Sequence, residues 1–125
     1  MSFRLVCFLG LIGAGLFGFG FLLLPELLSS YYGIGGWNPG TTLVARFYGV
    51  GLLYTASAAF AVKDTSDLRI QRAFGIGFAV VSVIGVVLSL LSVTSGGSNG
   101  LMWSTVVIFA FYAVVFFLAA KAARA

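Results

Sequence analysis

Residues 38–62 read NPGTTLVARFYGVGLLYTASAAFAV, and the run from Leu43 to Val62 carries one charge, Arg46. A helix of about 20 mostly apolar residues spans the hydrocarbon core of a bilayer. Leu43–Val62 has that length, closes on Lys63-Asp64, and is therefore expected to be a membrane helix. Asn38-Pro39-Gly40 before it has the composition of a turn.

The rest of the chain repeats the pattern. Leu5–Leu24 is closed by Pro25-Glu26, Ala73–Val93 by Thr94-Ser95-Gly96-Gly97, and Leu101–Ala120 by Lys121. These runs predict an all-α, polytopic membrane protein: one domain over residues 1–125, built as a four-transmembrane-helix bundle with spans near 5–24, 43–62, 73–93 and 101–120. Composition agrees. The 125 residues are 61% hydrophobic and 8% charged, with a mean hydropathy of +1.13. A soluble domain carries about 25% charged residues, and so few charges cannot supply a polar surface. The lipid bilayer is the expected partner. The first run is too long for the apolar region of a secretory signal, which holds about 7–15 residues, so it is expected to stay as a helix.

The net charge of +4 does not point to nucleic acid, because the basic residues stand singly or in pairs at the ends of apolar runs. Arg4, Lys63, Arg69, Arg72, Lys121 and Arg124 all fall on one side of the expected bundle, while the loops 25–42 and 94–100 hold no Lys or Arg. The positive-inside rule then places both termini and the loop KDTSDLRIQR in the cytoplasm of a cell membrane. In that loop Asp64, Thr65 or Ser66 is expected to cap the third span, with Asp67 in its first turn. The short loop also predicts that the second and third spans are antiparallel neighbours. Residues Glu26–Tyr32 are expected to form a short helical turn along the outer surface, where Leu27, Leu28, Tyr31, Tyr32 and Trp37 suit the interface.

Several chemistries lack their residues. The chain has no His and one Cys, Cys7, so no bis-His haem, typical zinc or di-iron site, or iron–sulfur cluster is expected. The acids Glu26, Asp64 and Asp67 lie at span ends, away from the positions that proton-coupled carriers use. No catalytic residue, cofactor or metal is assigned, and the protein is not expected to be an enzyme. GLIGAGLFGFG has the glycine content of a nucleotide loop, but it lies inside a span with no strand before it.

Small residues give the packing surfaces, since apolar attraction does not drive helices together in lipid. Gly10, Ala14 and Gly18 recur every four residues on the first span, with Gly13 and Gly20 beside them. On the third span Ala73, Gly77 and Gly85 mark one face, and Gly75, Ser82, Ser89 and Ser92 another. Arg46 is the exception to the charge pattern. Some three residues into its helix, it is within reach of the interface by snorkelling, and Glu26 is the one acid on its side. Facing inward instead, it would bind an anionic head group, a substrate carboxylate or a quinone carbonyl, with Ser57 eleven residues on and Tyr48 nearby.

Leu24-Pro25 at the end of the first span, Ala45-Arg46-Phe47-Tyr48-Gly49 opening the second and Asp67-Leu68-Arg69 before the third together form a layout. It resembles the small four-helix prokaryotic membrane proteins of the DoxX-like kind. That resemblance implies a four-helix bundle with cytoplasmic termini. Some relatives of that kind are subunits linked to quinone-dependent sulfur oxidation or redox stress, but no residue carries such an activity over. The expected role is an accessory or scaffold subunit that packs against another membrane protein or itself. The alternatives are a small oligomeric transporter or channel for a neutral or anionic solute, and a binder of quinone, carotenoid or lipid.

Overall fold

The computed structural model describes residues 1–123, so Arg124 lies outside the described residues. Five helices follow in order: α1 (Phe3–Leu23), α2 (Pro25–Tyr31), α3 (Pro39–Val62), α4 (Leu68–Thr94) and α5 (Met102–Ala122). Four of them, α1, α3, α4 and α5, are long and apolar enough to cross a membrane. At 21 to 27 residues they run about 32–40 Å, against a hydrocarbon core of about 30 Å.

Local chemistry sets the boundaries. α3 starts four residues before its apolar run, because Asn38 builds a capping box. The Asn38 Oδ1 accepts from the Gly40 and Thr41 amides at 2.9 and 3.0 Å, while Thr41 Oγ1 accepts from the Asn38 amide at 2.9 Å. Pro39 needs no amide partner in the first turn. α4 likewise starts at Leu68, ahead of Ala73, and its cap is Asp67, whose Oδ1 accepts from the Arg69 amide at 2.8 Å. The cap is thus not Asp64, Thr65 or Ser66, and Asp67 stands before the first turn rather than in it. Thr65 supports that cap by accepting from the Asp67 amide.

The expected turn at Glu26–Tyr32 is α2, begun by Pro25. α2 and α4 end alike. Gly33 (φ +73°) and Gly96 (φ +75°) take the left-handed conformation that favours glycine. The next amide reaches back five residues, Ile34 to the Ser29 carbonyl and Gly97 to the Ser92 carbonyl, as in a Schellman ending. Asn99 ties the two endings together. Its Nδ2 donates to the Tyr31 carbonyl and its amide to the Tyr32 carbonyl, both at 2.8 Å. At the opposite end of the bundle Arg4 Nε lies 3.0 Å from Asp64 Oδ1, and Lys63 also pairs with Asp64.

The helices associate as two pairs, α1 with α3 and α4 with α5, and the pairs meet chiefly through α1 and α5. α3 and α4, although joined by a short loop, are therefore not packed neighbours. Each turns its small-residue face to another helix. Gly49 of α3 lies against the α1 backbone, where an added Cβ would stand 2.7 Å from the Gly18 carbonyl oxygen and from the Leu22 nitrogen. On α4 the buried face is Gly75, Ala79, Ser82, Gly85 and Ser89, so Gly85 joins the glycine–serine face and not that of Gly77. An aromatic cluster on α4 and α5 receives α1. Phe116, fully buried, stacks at 4.6 Å from Phe78 and 6.1 Å from Phe74, and Val6 and Phe3 of α1 pack on the same cluster.

Candidate functional site

The residues singled out around Arg46 do not all converge. α3 begins at Pro39, so Arg46 lies seven residues along it, about 10 Å from its start rather than about 5 Å. A helical side chain leans toward the N-terminus, and Arg46 accordingly opens onto a shallow groove of about 570 Å³ that it shares with Glu26, Trp37, Asn38, Thr42 and Leu43. Glu26 reaches this groove because α2 folds back beside α3.

Glu26 and Arg46 line the same groove without forming an ion pair. Glu26 Oε1 instead accepts from the Thr42 hydroxyl at 3.0 Å. Tyr48 lies outside the groove. It borders a second, equally open recess of about 710 Å³ with Ile34, Trp37 and Val44, and its ring meets Phe21 of α1 edge-on at 5.1 Å. Ser57 is exposed farther down α3 and donates to the Leu53 carbonyl of its own helix at 2.8 Å, so it takes no part in the groove. Thr42 and Asn38 were not evident as partners. The signal for Asn38 was N-P-G-T, an N-cap followed by proline and a hydroxyl residue; nothing local pointed Thr42 at Glu26.

The packing residues divide. On α1 one stripe serves two helices: a Cβ on Gly10 would stand 3.0 Å from the Phe116 ring of α5, whereas one on Gly18 would meet Leu53 of α3 at 3.0 Å. Ala14, between them, is half-buried. Gly85 holds the Phe109 ring, with an added Cβ only 2.6 Å from it. Gly77 is different: it is exposed and an added Cβ would meet nothing within 4 Å, so it packs against no other helix of the chain. The unforeseen contact is Gly13, which admits the Tyr112 hydroxyl; that hydroxyl donates to the Leu9 carbonyl at 2.7 Å and links α5 to α1 within the apolar region.

Four apolar spanning helices with broad exposed apolar faces (Leu16 is 71% exposed and Tyr54 73%) define a multi-pass integral membrane protein. No family model, curated protein or solved structure matches the chain.

Proposed function

We propose that this protein is a non-catalytic accessory or scaffold subunit, which works by packing its helices against another membrane protein or a second copy. The observation behind this is a division among its glycines. Gly13, Gly49, Gly75 and Gly85 are each taken up by a close contact inside the chain. Gly15, Gly51 and Gly77 lie mid-helix and face open space. A glycine inside a helix costs about 0.5–1 kcal/mol relative to alanine. Lipid contact does not offset that cost, whereas the close approach of another helix does. Some members of the DoxX-like kind, which the layout resembles, are also subunits of larger complexes. For the alternatives, a solute pathway or a quinone, carotenoid or lipid bound between the helices, the support is weaker, since both recesses beside the first turns of α3 are open and shallow.

The test is purification of the tagged chain from its native membrane in a gentle detergent, followed by intact-complex mass. A defined larger assembly is expected, lost in Gly51→Leu or Gly77→Leu chains that keep their helical content. A lone wild-type monomer would refute the proposal. In the same proposal both termini and the α3–α4 loop face the cytoplasm, following the basic residues. A cysteine replacing Ser98 should then react with an impermeant reagent on intact cells; reaction only after lysis would reverse the orientation.

A further inference from the structure

The groove between α2 and α3 presents two opposite charges that do not satisfy each other. Glu26 gives one carboxylate oxygen to the Thr42 hydroxyl and keeps the other open. Arg46 makes no ion pair or hydrogen bond with any described residue. Two further residues with unused donors border the same groove: Trp37, and Asn38, whose Nδ2 is free because the cap employs only its amide, carbonyl and Oδ1. The α3 terminus is not itself an anion site, because Asn38 already occupies its free amides. The groove lies two turns or less from the start of a spanning helix and is lined by Trp37, a residue type that settles at headgroup level.

We propose that this groove holds the headgroup of a zwitterionic phospholipid bearing a phosphate and a primary ammonium. The phosphate lies on the Arg46 guanidinium, whose planar fork matches phosphate oxygens, and the ammonium donates to the open Glu26 oxygen. Charge complementarity selects this occupant. A purely anionic headgroup brings its phosphate to Arg46 but leaves Glu26 facing a negative charge. A quaternary ammonium has no N–H to give Glu26. Leu43, which lines the groove, is exposed on the apolar surface of α3, and the acyl chains lie along that surface. This site is independent of the scaffold role, since neither Gly51 nor Gly77 borders it.

The experiment is native mass spectrometry of the whole purified chain given an equimolar mixture of phosphatidylethanolamine, phosphatidylglycerol and phosphatidylcholine with identical acyl chains. One charge-assisted hydrogen bond corresponds to about tenfold in retention, so phosphatidylethanolamine should exceed each of the other two by about that factor. Glu26→Gln should abolish the preference over phosphatidylglycerol while Arg46→Gln lowers retention of all three, with circular dichroism verifying the helices. Equal or greater wild-type retention of phosphatidylglycerol, or a Glu26→Gln chain with its preference intact, would overturn the proposal. The wild-type ratio and the Glu26 variant decide it even where Arg46→Gln fails to assemble.

Discussion

Gly49 and Gly77 are the same residue type at mid-helix, and a single added methyl group should separate them. At Gly49 the new Cβ would press on α1 backbone atoms at 2.7 Å, and backbone cannot swing aside as a side chain does. Gly49→Ala is therefore expected to push α1 and α3 apart and to cost about 1–3 kcal/mol, the range for overpacking. At Gly77 the methyl meets open space, so Gly77→Ala in the isolated chain should be neutral or stabilising by up to about 1 kcal/mol, through helix propensity. Thermal unfolding in detergent measures both; equal losses would mean that the α1–α3 contact is looser than described. Both glycines are visible in the sequence, but which of them is spent on a contact is not. Spacing identifies a face, and only the partner helix says whether that face is covered.

Among the elements, the spanning helices were legible to within about five residues because lipid demands long apolar runs. The starts of α3 and α4 were missed, since Pro39–Thr42 and Leu68–Arg72 are too polar to count as span. Capping made them helical all the same. Asp67→Ala removes the side chain that receives the Arg69 amide and should cost about 1 kcal/mol. Hydrogen exchange should rise in the first turn of α4 and stay unchanged at Ser82–Ser89. Uniform exchange along α4 would show that its start depends on the loop rather than on the cap. The wrong neighbour for α3 has a similar origin. A short loop fixes that two helices run antiparallel, not that they touch, and here the fits of Gly49 to α1 and of Gly75 and Gly85 to α5 decide the pairs.

At the scale of the whole molecule, polar links close both ends of the bundle, one running between the helix pairs and one within the α1–α3 pair. One is Asn99 on the Tyr31 and Tyr32 carbonyls; the other is Arg4 and Lys63 on Asp64. The second link responds to pH. The hydrogen bond from Lys63, and then the charge of Arg4, hold the Asp64 carboxyl below its ordinary value. A carboxyl whose folded pKa is depressed contributes stability above its unfolded value, roughly 4, and loses that contribution as the pH falls through the folded value. The first turn of α1 should accordingly loosen between pH 6 and pH 3, beyond intrinsic exchange rates, and Asp64→Asn should already be loose at pH 6. Equal protection of Phe3–Val6 in the two chains at pH 6 would show that the link does not hold α1.

The sequence by itself determined the class, the number of spans and the uneven charge of the two ends. Each is a property of single segments meeting lipid or water, written residue by residue in hydropathy. It also showed that Arg46 is out of place and that Glu26 lies on its side. The tertiary structure decided which small residues face a neighbour, that the bundle is two pairs meeting where Phe3 and Val6 of α1 pack on the Phe74, Phe78 and Phe116 cluster of α4 and α5, and that Glu26 bonds Thr42 and leaves Arg46 unpaired. Those outcomes depend on distances between segments far apart in the chain. No local pattern encodes them, because glycine faces of similar spacing can mate in several ways until close packing selects one.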